Sequence, residues 1–185
     1  MTSRHRSTHR SAALLALLAL VPAGHLASSA PRSGSAPPAG SVAAADLVPC
    51  QGRQLSAAFT MTRVIRGRHR VVLVLTNASA APCAMVGFVG LRMLGADGDG
   101  LLTDVERGAA LRPPTEVVVP PAGQASTLLS WTDVDSAQGC VAPSGIAITP
   151  PNDTQVVATT WPVVGLVCEY GRIEAAPVHR GVGPL

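Results

Sequence analysis

The chain has no lysine and almost no aromatic side chains: Phe59, Phe88, Trp131, Trp161 and Tyr170 are its only phenyl, phenol or indole rings. Nucleic-acid binding needs a basic face and platforms for base stacking, so that function class is set aside. A formal charge of +3 and a pI near 9.0 do not restore it. Of the 14 arginines, Arg4, Arg6 and Arg10 lie in the first ten residues, and the other 11 face 11 acids. Histidine is as scarce. Beyond residue 30 only His69 and His179 remain, one in an arginine-rich turn and one toward the C-terminal tail, and both are expected to be exposed. No GxSxG, HExxH or CxxC spacing occurs, which removes the usual nucleophile elbow, zinc protease and zinc-thiolate readings. Long apolar runs are missing too. The run at residues 12–21 is ten residues long, half of the roughly 20 that cross a bilayer as a helix, so no permanent membrane span is expected.

What is present at the start is an export pattern. The arginines form a basic n-region, residues 12–21 form the apolar h-region, Pro22 and Gly24 break it, and Ala27, Ser28, Ser29 and Ala30 supply small-residue cleavage sites. Residues 1–30 read as a signal peptide. Residues 31–46 hold proline, serine, glycine and alanine with too little large apolar surface to offset chain entropy, and read as a flexible linker. Residues 47–185 then have the size of a single domain. Arginine in place of lysine, with abundant alanine, glycine and proline, resembles the coding bias of a GC-rich genome and points toward an actinobacterial source on composition alone.

Within that domain the apolar period is two. In QLSAAFTMT, Leu55, Ala57, Phe59 and Met61 share one face while Ser56, Thr60 and Thr62 share the other. VVLVLT from Val71 is apolar on both faces and reads as a central strand. Further strands are expected at GLRMLG from Gly90, EVVVP from Glu116, ASTLLSW from Ala125, GIAIT from Gly145, QVVATT from Gln155 and GRIEAAPV from Gly171. Turns fall at 66–70, 95–100, 120–123 and 150–153, where glycine, proline, asparagine and aspartate cluster. Short strands between turn signals, with no helical stripe, predict an all-β fold: an antiparallel two-sheet sandwich, immunoglobulin-like in architecture. Thr127, Leu129 and Trp131 alternate on one face, which makes Trp131 a packing residue rather than an exposed platform.

Four cysteines in an exported chain imply two disulfides in an oxidising compartment. Three pairings are possible. Joining neighbours, Cys50 with Cys83 and Cys140 with Cys168, is the expectation. Each such loop contributes roughly 3–4 kcal/mol by restricting the unfolded chain.

The run LTNASAAPCAMVGFVGLRMLGADGDG, residues 75–100, carries a resemblance. Leu75, Thr76, Asn77, Pro82, Cys83, Phe88, Gly90, Leu91 and Gly98 stand in the order seen in a secreted actinobacterial family known as domain of unknown function 4232. The later parts are similar as well: a strand ending at Trp131, then Cys140, the Pro150-Pro151 turn, and Val167-Cys168. Phe88-Val89 departs from the pattern, which often has proline after the aromatic. The resemblance implies a secreted, often cell-envelope-associated β-sandwich with no assigned activity.

Chemistry beyond this is thin. Asp97, Asp99, Asp104 and Glu106 lack the spacing of a calcium loop, and Asp133 with Asp135 reads as a solvated loop. Met61, Met85 and Met93 read as core filling. Asn77 and Asn152 fit glycan acceptor patterns but sit at turns for backbone reasons. The reading is therefore a non-enzymatic binding module without cofactor or metal, for an unknown extracellular or envelope ligand carried by its loops. A secreted protease inhibitor, presenting residues 113–116 or the loop from Trp131 to Cys140, is the alternative, and an extracellular enzyme is third.

Overall fold

Alternating small apolar and hydroxyl side chains make β1 (Leu55–Ile65), which turns at Arg66-Gly67 into the antiparallel β2 (Arg68–Asn77). Both turn residues have positive φ, 51° and 73°, the two-residue geometry whose twist matches a hairpin, and glycine relieves the strain at one of them. In this computed structural model the described residues are 47–108, 113–134 and 138–183. The signal peptide expected over 1–30 and the linker over 31–46 lie outside them. Ser41–Leu185 forms one compact unit that contains every strand among the described residues and both disulfides.

The register of the first hairpin slips once. Thr60 pairs with Val72 but Thr62 pairs with Val71, so Met61 is the extra residue of a bulge. β2 lies between β1 and β7 (Gln124–Thr132), and Val71, Val72, Leu73, Val74 and Leu75 are all buried, as a run apolar on both faces requires. β7 pairs next with β10 (Arg172–Ala175), and β10 with β5 (Asp104–Arg107), which gives the order β1-β2-β7-β10-β5. The pairing of β5 with β10 is parallel, an exception to the antiparallel expectation. Gly171 permits it. A Cβ there would lie 2.1 Å from the Leu102 carbonyl oxygen, and φ is +75°.

A second sheet runs β4 (Gly90–Leu94), β8 (Gly145–Thr149), β9 (Val157–Thr160), all antiparallel. A two-stranded piece joins β3 (Cys83–Met85) to β6 (Val117–Val119). The expected strands are all found, while β3, β5 and the last strand, β11 (His179–Arg180), were not anticipated. β11 corrects the reading of His179 as part of a tail: it pairs with Ser126 and Arg180 with Ala125 on β7. Pro177 interrupts the ladder between β10 and β11, and the Thr127 hydroxyl donates to the Ala176 carbonyl there at 2.6 Å.

The facing layers share one core. Leu73, Leu75, Leu129 and Ile173 of the first sheet meet Met93, Ile146 and Ile148 of the second, with Met85 and Val119 of the short pair, and all are buried. The sandwich architecture follows from that shared interior, since each sheet has only one way to cover its apolar face. Both disulfides join the neighbours expected, Cys50 to Cys83 and Cys140 to Cys168. The first ties the segment before β1 to β3, where Cys50 N–H also donates to Ala84 O at 2.9 Å. The second ties the loop after β7 to the loop after β9.

Asn77 explains the asparagine of the Leu-Thr-Asn run. Fully buried at the end of β2, its amide donates to Ala81 O at 2.8 Å and Val119 O at 3.0 Å, and its oxygen accepts from the Ser79 N–H and hydroxyl. A backbone role, not glycan attachment, accounts for it.

Candidate functional site

Opposite positions on β2 and β7 put His69 beside Trp131, on the face that carries Val71 and Leu129. Alternation along β2 turns this imidazole toward the interior, and only 6% of it is exposed, which corrects the expectation of a solvated histidine at the hairpin tip. The two rings stack 3° from parallel with centroids 5.0 Å apart. Trp131 in turn lies 4.8 Å from Trp161, and Phe59 meets Trp161 edge-on at 6.1 Å. Four rings thus link β1, β2 and β7 to the segment leaving β9.

Asp133 stands two residues past Trp131, held by its own N–H donating to Gly67 O at 3.1 Å. His69 Nε2 approaches Asp133 Oδ2 at 2.6 Å, and an ionised carboxylate only accepts, so the ring proton faces it. His69 Nδ1, Trp131 Nε1 and Trp161 Nε1 are buried with no hydrogen-bond partner. The ring cluster is therefore held by stacking and one His-Asp contact. The expectation for Trp131 is met: it is 2% exposed and packs the core.

This cluster forms the floor of one end of the sandwich. Residues 161–167 leave the Trp131 contact and return at Cys168, whose N–H donates to Thr132 O at 3.0 Å. Val141 and Val167 bond to each other in both directions beside the Cys140–Cys168 bridge. An open depression of about 560 Å³ lies here, lined by Trp161, Pro162, Val163, Val164, Leu166 and, across it, Pro143. Exposed aliphatic side chains occur in its lining and on the neighbouring hairpin. Val64 (54%) and Ile65 (57%) project from the first hairpin, Val164 is fully exposed, and Val134 and Leu166 are more than a third exposed. Arg63 and Arg66 flank the two hairpin residues, and no acid pairs with either among the described residues.

The other polar groups are occupied elsewhere. The buried Ser126 hydroxyl donates to Gly181 O at 2.5 Å and accepts from Gly183 N–H at 3.1 Å, beside His179, and so fastens the C-terminal strand. Asp104 and Glu106 face Arg172 at 3.6 and 3.8 Å across the parallel pair, and Glu169 reaches the same guanidinium. Arg68 bridges to Glu174, with Ser130 donating to the same carboxylate at 3.0 Å. Asp97 and Asp99 are exposed in the 95–100 turn, where Gly95 N–H donates to Asp99 O at 2.8 Å. Among the described residues no three histidine, cysteine or acidic side chains gather as a metal group would require. Met85 and Met93 fill the core. Residues 113–116 are exposed before β6, while 135–137 of the loop from Trp131 to Cys140 lie outside the described residues.

Sequence reading missed the His69–Asp133 contact and the apolar rim. The first was available: His69 shares its parity with Val71, Leu73 and Leu75. The second needed the fold, because its members come from three separate segments.

A family model described as "Domain of unknown function (DUF4232)" matches residues 50–179, from the first cysteine into the last strand. No curated protein and no solved structure matches the chain.

Proposed function

The chain belongs to the domain of unknown function 4232 family, and from that premise we propose that it is an extracytoplasmic, non-enzymatic binding module whose working surface is the apolar end around Trp131 and Trp161. Two disulfides support a home in an oxidising compartment, at or outside the cell envelope. No helix among the described residues is long and apolar enough to cross a membrane.

One observation carries the reading. Val64 and Ile65 are exposed on the two faces of the hairpin tip, Val134 beside its turn, and Val164 and Leu166 on the 161–167 loop that Cys168 N–H ties to the end of β7. Isolated exposed aliphatics are ordinary, but a set assembled from three segments over a rigid aromatic floor is the mark of an interaction surface. Loops of this kind vary without disturbing the core, which is where recognition is built on a sandwich.

The test is affinity capture from the producer's own envelope with the oxidised Ser41–Leu185 unit as bait. The native surface should retain envelope components that a Val164→Ser/Leu166→Ser double variant releases. If both proteins retain the same set, or neither retains any, the reading is wrong.

A further inference from the structure

We propose that the apolar end docks on an anionic lipid surface, with Val64 and Ile65 entering the interface and Arg63 and Arg66 meeting its headgroups; this rests on the binding-module reading above and names its partner. The first ground is the side-chain pattern at the hairpin tip. Arg63-Val64-Ile65-Arg66 places two exposed aliphatic groups between two exposed guanidinium groups, in four successive residues. Arginine without an acidic partner is complementary to negative charge, and the aliphatic pair to hydrocarbon.

The second ground is composition. Protein interfaces are enriched in exposed aromatic anchors. Trp131 and Trp161 are buried, with Trp161 in the lining of the open depression, while the side chains exposed beside them are valine, isoleucine and leucine. Val164 is wholly uncovered. Exposed aliphatic groups next to unpaired arginines suit a hydrocarbon surface with anionic headgroups.

The third ground is that the tips are tied to one another through β7. Val134 lies against the hairpin turn, where a Cβ on Gly67 would fall 2.8 Å from its Cγ1, and the 161–167 loop is tied to β7 by the Cys168 N–H to Thr132 O bond. Thr132 pairs with Arg68, three residues from Ile65. Hairpin and loop therefore face a surface together rather than singly.

Cosedimentation of the oxidised Ser41–Leu185 unit with vesicles tests this. Vesicles of equal parts phosphatidylglycerol and phosphatidylcholine should pellet the protein, and phosphatidylcholine alone should bind about tenfold less. Val64→Ser with Ile65→Ser should lower binding to the anionic vesicles about tenfold, and Arg63→Gln or Arg66→Gln about fivefold each. Salt at about 0.5 M should weaken the native protein in the same way. Should the aliphatic double variant fail to fold, the two exposed arginine variants and the salt series still decide. Equal binding to both vesicle types, or binding that survives all these changes, overturns the proposal. So does an absence of binding at about 1 mM lipid, where contact of single-acyl-chain strength would register. Envelope capture that still depends on Val164 and Leu166 while no vesicle binds would point to a protein partner, refuting the lipid assignment and leaving the binding-module reading intact.

Discussion

His69 lies flat against Trp131 and holds Asp133 at 2.6 Å, so a single side chain joins the sheet's ladder, its aromatic core and the loop that follows β7. Its contribution combines ring packing with a hydrogen bond to a carboxylate. His69→Ala should destabilise the domain by about 2 kcal/mol. His69→Phe keeps the stack and loses the bond, so about half of that loss should return. Urea unfolding of the three proteins measures both differences, and equal midpoints would show that the contact is incidental.

Asn77 offers a second test. Its amide and carbonyl serve four partners at a fully buried position, so Asn77→Ala removes the bonds to Ala81 O, Val119 O and the Ser79 N–H and hydroxyl. A loss of about 3 kcal/mol is expected. The same burial predicts that Asn77 carries no glycan when the chain is expressed in a glycosylating host, while the exposed Asn152 remains open to modification. Mass mapping of the two peptides distinguishes them.

The two bridges should act independently, because they close separate loops of 33 and 28 residues. Replacing either pair with alanine should cost about 3–4 kcal/mol. The consequences differ. Losing Cys140–Cys168 should loosen the 161–167 loop and the binding end, whereas losing Cys50–Cys83 should free the segment before β1. Limited proteolysis reads which segment is cut first.

Asp153 is one source of acid sensitivity. Gly52 N–H donates to Asp153 Oδ2 at 2.7 Å, and this bond, the largest influence, holds the carboxyl below its ordinary 3.8 against the opposing effect of burial, with lesser help from the Thr154 and Gln155 N–H groups and nearby Arg53. A folded carboxyl that binds its proton less well than the unfolded one favours the folded state when ionised. That contribution is complete above about pH 4 and fades as pH falls through the lowered folded value. Asp153→Asn should therefore flatten the acid limb of a stability profile. An unchanged limb would assign acid unfolding to other groups.

Much of the fold was legible because its causes are local. Alternation at Leu55, Ala57 and Phe59, the two-faced run from Val71, and the turn residues at 66–67, 120–123 and 150–153 each act within a few positions. β3 and β11 escaped notice because three or two residues cannot display a period, and each is extended only because a neighbour, β6 or β7, pairs with it. β5 was hidden for a different reason. Asp104, Glu106 and Arg107 look like a wet acidic loop until β10 brings Arg172 alongside. The candidate site was the least legible part. Val64, Val134 and Val164 are distant in sequence, and their common exposure depends on how the loops converge.

Hydrogen–deuterium exchange of the Ser41–Leu185 unit, alone and with envelope membranes, tests the binding end most directly. Protection on addition of membranes should concentrate at residues 63–66 and 162–166. Protection confined to 113–116 or to the opposite turns, or none at any site, would contradict the assignment of the working surface.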